Sequence, residues 1–481
     1  MIKKTLPILP SLAALLLLAN SPLMALQTTW LGDHQDLWND DSLWTAGRPT
    51  ATSEAHFNDF DGLVSINFNQ GYGTDNPLGI RNAGALTKTG EGFTRIGAVN
   101  DKIVGVLRLH GLSTTIGDES VTLLIGNFGT DGVFQINGPS TRPLELELTV
   151  TGVMHADRSI ILNAPVTGNG GIIKTGSSSL QFFPINSTVF RSNTYTGGFT
   201  LREGVVRFAD SGTANENPFG AGTLTLENGT VQSYNDGTLT RTLWNPIVLA
   251  GTIQLGSADT AANNADFITD ASNSQTTTLT ADSTLTLHNT TTWKQAISGD
   301  FELAKAGAGT LILEGENTYS GATSVEAGAF HVSGSLDNAQ VTVADGGAFS
   351  LLEEGILRFQ ITSATEADRF TLESGGNALF DGTLDLAFGQ ATENATWQLF
   401  DGTAAGDFTN LEAITLSGAF EGALSLTGLN LWEGTLGDST FVFQTDTGLL
   451  SVTTIPEPGT LSALLLGMAI LGAVRFGKTQ S

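Results

Sequence analysis

The chain has 481 residues, 14% of them charged and 40% hydrophobic, and its 48 acids outnumber 21 bases to give a formal charge of −27. Such a surface repels nucleic acid and anionic polymers and attracts cations. Cysteine is absent, which excludes disulfides and thiol nucleophiles, and the apolar content is too high for general disorder.

Lys3 and Lys4 precede an apolar stretch from Leu6 to Ala19, and small residues follow near Ala25. This order predicts a secretory signal peptide over residues 1–25. An exported chain without disulfides must draw its stability from packing or repetition. Residues 26–85 come next, and Trp30, Trp38 and Trp44 are three of the chain's seven Trp. A stack of repeats needs a cap over its first turn, and an aromatic cap is the expected role of this cluster. An exposed platform on which sugars stack is the alternative.

Residues 86–349 consist of short alternating runs such as Gly309-Thr310-Leu311-Ile312-Leu313-Glu314, separated by Gly, Asn, Asp and Thr. A period of two bounded by turn residues predicts strands, and the fold class is all-β. The runs also repeat in content. One copy reads Gly170-Gly171-Ile172-Ile173-Lys174-Thr175-Gly176, then Asn193-Thr194-Tyr195-Thr196-Gly197-Gly198, then Leu201 to Phe208 around Gly204. A second reads Leu303-Ala304-Lys305-Ala306-Gly307-Ala308-Gly309, then Asn317-Thr318-Tyr319-Ser320-Gly321-Ala322, then Val325 to Val332 around Gly328. A degenerate third copy begins at Leu86-Thr87-Lys88-Thr89-Gly90. The unit resembles the autotransporter-associated β-strand repeat. That resemblance implies a right-handed parallel β-solenoid, in which stacked turns share a core that one turn cannot build. Gly permits positive-φ corners, and Asn193 and Asn317 are expected to satisfy corner backbone groups through their amides. Tyr195 and Tyr319 are expected in the corner or core rather than at a ligand. A true autotransporter also carries a C-terminal barrel, which is not expected from the apolar segment found here.

Residues 350–455 lose the repeat but keep the alternation, with Asp381-Gly382 and Asp401-Gly402 as hairpin signals. The expectation is antiparallel pairing, as a sandwich-like module or a broadened solenoid end. Residues 456–481 begin with Pro456-Glu457-Pro458, continue with an uncharged apolar run from Leu461 to Val474 and end with Arg475 and Lys478 among the last residues. The prolines hold the chain extended, the run predicts a transmembrane helix over 461–476, and the cations favour the cytoplasmic side. This order resembles the PEP-CTERM sorting signal. The resemblance implies secretion, transient anchoring in the inner membrane, and recognition and cleavage by an exosortase. The released protein is then expected at the envelope surface or in an extracellular matrix. A plain membrane anchor is the alternative.

Few residues suggest chemistry. Gly472 to Thr479 spells a P-loop pattern, but an apolar run rather than a strand precedes it. His34, His56, His110, His155, His288 and His331 show no ligand spacing. Glu145 with Glu147, Glu353 with Glu354, and Asp40 with Asp41 are the carboxylate pairs to consider for polysaccharide cleavage. Surface charge is the ordinary explanation of each. The calcium-roll repeat is absent, since Gly375-Gly376-Asn377-Ala378 lacks its third Gly; weak surface calcium binding stays open. The sequence therefore predicts a non-enzymatic, cofactor-free, exported structural or adhesive protein. Its expected partners are the secretion machinery, an exosortase and exopolysaccharide or other matrix polymers, with no nucleic acid. A polysaccharide-binding or polysaccharide-cleaving solenoid with the same tail is the alternative.

Overall fold

The structure is a computed structural model that describes residues 26–32, 41–50, the strands between 53 and 137, and 144–182, 193–209, 217–234, 240–390, 394–402 and 406–454. The expected signal peptide and the whole segment 456–481, with Pro456, Glu457, Pro458, Arg475 and Lys478, lie outside the described residues, as do Trp38, His34 and His110. Among the described residues the helical segments are short 3-10 turns such as Ala261–Asn263, and no helix is long and apolar enough to cross a membrane.

The chain divides into two compact units, Met1–Ile172 and Ile173–Ser481. In the first, Leu26–Thr29 pairs in parallel with Ser53–Asn58, which pairs with Ala85–Thr89, which pairs with Leu124–Asn127. A second parallel series runs from Gly62–Ser65 through Phe93–Gly97 and Val133–Asn137 to Ile160–Leu162. A third runs from Ile80–Ala83 through Gly105–Leu109 and Leu144–Leu148 to Val166–Gly168.

The second unit repeats this plan more tightly. Ser283 lies opposite Leu303, Leu303 opposite Thr323 and Thr323 opposite Val341, steps of 20, 20 and 18 residues in a first sheet. A second sheet of seven strands runs from Arg241–Leu243 to Asn377–Phe380. A third begins with Glu316–Asn317, Ser335–Leu336, Ile356–Ile361 and Thr383–Phe388, again all parallel. The chain thus places one short strand in each sheet per turn, the arrangement of a parallel β-solenoid. The reason is the period of two in the sequence. In Ser283–Leu287, Leu285 and Leu287 are fully buried, while Thr284 and Thr286 face outward and are half-buried. Stacking brings like residues together. Phe330 lies opposite Phe349, with ring centroids 5.9 Å apart and planes 15° from parallel.

Two expectations for residues 350–455 are corrected. Asp381-Gly382 is not a hairpin: Asn377–Phe380 and Thr383–Phe388 belong to different sheets, each paired in parallel with the coil before. Glycine is needed there because a β-carbon on Gly382 would lie 2.3 Å from the carbonyl oxygen of Leu352. Asp401-Gly402 lies within a strand, Phe400–Gly402, parallel to Phe370–Leu372. A turn dipeptide reports local dihedral preference, whereas the partner strand is set by register with the previous coil. The expected antiparallel pairing is found in a meander of Ala413–Gly418, Gly422–Gly428, Leu431–Leu436, Ser439–Gln444 and Leu449–Thr454, whose last strand also pairs antiparallel with Ala395–Gln398.

Candidate functional site

The repeat-turn residues form a corner in the second unit, in the connections that lead into its first sheet. Asn317 is fully buried. Its Nδ2 donates to the carbonyls of Gly315 at 2.8 Å and Ser335 at 2.9 Å, and its Oδ1 accepts the Ile297 N–H at 3.1 Å. One amide therefore joins three successive coils. Asn193 Nδ2 donates to the Pro218 carbonyl at 2.7 Å. Between these two motif residues the same task falls to Asn217, Asn245 and Gln295. Asn217 Nδ2 donates to Asn245 Oδ1 at 3.0 Å, and Gln295 Nε2 donates to the Asn245 and Asp270 carbonyls at 2.8 Å each. Buried amides with their partners met are stabilising where unmet backbone groups would be costly.

Tyr195 and Tyr319 are fully buried. Burial pushes both phenols above the ordinary tyrosine range, and the Thr323 hydroxyl 2.6 Å from Tyr319 opposes this only in part. They remain neutral and face the core. Thr194 and Thr318 are exposed. Gly198 has a φ of 81°, and a β-carbon on Gly321 would lie 2.1 Å from the Phe301 carbonyl oxygen, so these corners require glycine for different reasons. Gly197 is exposed between them.

The lysine of each repeat has a role that the sequence does not advertise. Lys174 and Lys305 are fully buried. Lys174 Nζ donates to the carbonyls of Thr175 and Gly176 at 2.7 Å each and of Glu203 at 3.1 Å. Lys305 Nζ donates to the carbonyls of Gly307 at 2.6 Å and Ala327 at 2.7 Å. Desolvation lowers the Lys305 ammonium from 10.5 to about 8, so it stays charged at neutral pH. The signal was the fixed spacing of Lys to its glycines, which reads as turn chemistry rather than burial.

Beside the amide run lies a cleft of about 200 Å³, with walls from three consecutive coils. Asn217 with Gly220 forms one wall, Trp244 with Asn245 the next, and Asp270, Ser272 and Gln275 the third. Trp244 Nε1 and Gln275 Oε1 are buried and have no hydrogen-bond partner. The Ser272 hydroxyl donates to Asp270. No short motif marks this cleft, because its residues meet only across coils.

The other candidates do not gather. Trp30 and Trp44 are buried, 4.9 Å apart edge to face, and Trp44 packs on Phe57 at 5.7 Å. This overturns the sugar-platform alternative for those two rings, since neither offers a face to solvent. Glu353 and Glu354 are exposed in a turn, and Asp41 is an exposed partner of Arg48 at 3.5 Å. Leu144–Leu148, which carries Glu145 and Glu147, lies between two parallel neighbours. His56 Nδ1 lies 2.9 Å from Thr87 Oγ1, and burial lowers its pKa against the opposing pull of Glu54. Among the described residues no group of three His, Asp or Glu could hold a metal ion.

A family model described as Passenger-associated-transport-repeat matches residues 172–208 and 303–332, the two segments that carry the lysine clamps and the Asn-Thr-Tyr corners. The chain is 26% identical over 385 residues to the adhesin BmaC autotransporter of Brucella suis biovar 1 (strain 1330). That alignment takes in 74% of this chain and 10% of the relative, so the chain spans about a tenth of that protein's length. No solved structure matches the chain.

Proposed function

We propose that this is an exported, non-enzymatic surface protein with an adhesive or structural role, built on a right-handed β-solenoid. The observation that carries the reading is the in-register parallel stack, whose two clearest repeats are those matched by the passenger repeat. The similarity to an autotransporter adhesin supports it. Right-handedness follows the strong preference of parallel crossover connections. A stack of this kind presents long ladders of outward side chains at fixed spacing, a surface suited to contact rather than to turnover.

We further propose that the tail directs sorting. Pro456-Glu457-Pro458 would stand extended outside the inner membrane while 461–476 spans it and Arg475 and Lys478 hold the cytoplasmic side. An exosortase would then cleave near the motif. This part rests on the sequence alone. The adhesive reading is tested by deleting the gene and measuring attachment to abiotic and polysaccharide-coated surfaces. Reduced attachment, restored by the gene in trans, is expected; unchanged attachment on every surface overturns it.

A further inference from the structure

We propose that the cleft between Asn217, Trp244 and Asp270 binds one uncharged sugar ring, as a terminal or branch residue of a surface or matrix glycan. This deepens the adhesive reading, on which its biological sense rests, by naming a ligand class and a site.

The first support is placement. The two full copies of the repeat turn, at Asn193–Gly198 and Asn317–Ala322, bracket the coils that form the cleft. In those coils the Asn-Thr-Tyr motif gives way to Asn217-Pro218-Phe219, Trp244-Asn245-Pro246 and Asp270-Ala271-Ser272. In the first of these coils the fully buried Phe219 takes the place of the motif tyrosine, two residues after the asparagine, and Ile247 is buried at the same place in the next. The floor is rigid. Asn217 and Asn245 spend their amides on the carbonyls of Gly220 and Gly222, at 2.6 to 3.0 Å. A pre-ordered floor lowers the cost of binding.

The second support is unmet hydrogen bonding. Trp244 Nε1 is a donor and Gln275 Oε1 an acceptor, and both are buried without partners in the walls of one cleft. Buried polar atoms are rarely left so. A hydroxyl group both donates and accepts, so a ring bearing several hydroxyls satisfies both once the half-buried side chains turn toward it. The Asp270 carboxylate adds a further acceptor, and the half-buried Trp244 indole supplies an apolar plate for the C–H face of the ring.

The third support is exclusion. Among the described residues the walls contain no Lys, Arg or His, and Asp270 is their charged member, so phosphates and acidic sugars are disfavoured. A volume of about 200 Å³ is below the range of about 300–1,000 Å³ typical of drug-sized ligands, which leaves room for one ring and not for a peptide helix.

Saturation-transfer NMR on the full chain tests this with methyl glycosides of glucose, galactose, mannose and N-acetylglucosamine, and with choline as a cation that an indole and a carboxylate would also attract. At least one glycoside should give saturable transfer with a dissociation constant of about 1 mM. Trp244→Ala and Asp270→Asn should each weaken it by about tenfold or more, while Trp244→Phe keeps part of the binding and an unchanged thermal midpoint. Should Trp244→Ala not fold, Asp270→Asn and Trp244→Phe carry the comparison. No saturation with any glycoside, wild-type binding by Asp270→Asn, or saturation by choline alone overturns the proposal. Attachment of protein-coated beads, measured in parallel, keeps the two readings apart: beads that attach equally well with Trp244→Ala remove the cleft from adhesion and leave the adhesive reading standing.

Discussion

A β-carbon placed on Gly328 would lie 2.6 Å from the Nζ of Lys305, one coil earlier. The same relation joins Gly204 to Lys174, at 2.8 Å. In each repeat a positive-φ glycine lets the chain pass close enough for a buried ammonium to collect the carbonyls at the bend. The Lys and the later Gly of the motif are therefore two halves of one contact.

This pairing sets Gly328→Ala apart from an ordinary glycine substitution. Gly328 has a φ of 68°, and an added β-carbon would also lie 2.5 Å from the Gly307 and Gly309 carbonyl oxygens. Gly346 has a φ of 81° with nothing within 4 Å. Gly346→Ala should cost only the left-handed strain, about 1–2 kcal/mol. Gly328→Ala should cost at least about 2 kcal/mol more, because backbone must move. Chemical denaturation of both variants decides it; equal losses would show that the coil yields freely.

Lys305 predicts a pH dependence. Its folded pKa of about 8 lies below the ordinary 10.5. Between those values the unfolded chain holds a proton that the fold has released, so stability contributed by this group rises with pH across that window. The gain is at most about 3 kcal/mol, reduced by the two carbonyl contacts and by screening at the corner. Lys305→Met should be less stable than wild type at pH 7, since it strands two carbonyls. The gap should widen from pH 7.5 to 9.5, below the range where unfolded tyrosines ionise. A gap that stays flat means that Lys305 titrates normally.

Strand register is tested by Leu311 and Glu314. Leu311 is fully buried, whereas the Glu314 side chain is 43% exposed and 3.7 Å from Lys294. Leu311→Asp buries an unpaired charge and should cost several kcal/mol. Glu314→Lys breaks a surface pair and should cost about 1 kcal/mol or less. Similar denaturant midpoints for the two variants would contradict the burial pattern.

For the tail, intact-mass measurement of protein recovered from the native host should find a mature form lacking residues 461–481. Pro456→Ala with Pro458→Ala should hold the protein at the inner membrane with its tail attached. A mature form that retains 461–481 would make the segment a simple anchor.

Much of the fold could be read from sequence because burial follows period two. Leu311 and Leu313 are buried while Thr310 and Ile312 are only half-buried, and the short run between Gly309 and Gly315 suits a strand rather than a helix. Lys305 could not be placed the same way. A lysine in an alternating run reads as solvent-facing, and its burial depends on carbonyls at Gly307 and Ala327, the second supplied by the next coil. Asp381-Gly382 misled for a related reason, since the local turn preference was satisfied while the strands it joins paired elsewhere. The cleft was the least legible. Asn217, Trp244 and Asp270 are separated by whole turns, and only stacking makes them neighbours.

The change of strand direction between Ala413–Gly418 and Gly422–Gly428 also bears on how copies of the molecule meet in crowded solution. A parallel rung with an open outer edge can accept another rung running the same way, from any chain that carries one. Such head-to-tail contacts do not close on themselves, and filaments are their usual outcome. Here the edge of the third sheet is taken by Gly422–Gly428, running the opposite way, and the meander returns as far as Ala395–Gln398. A second solenoid arriving at the third sheet meets strands that run against its own, so the parallel ladder of that sheet is ended by the protein's own chain.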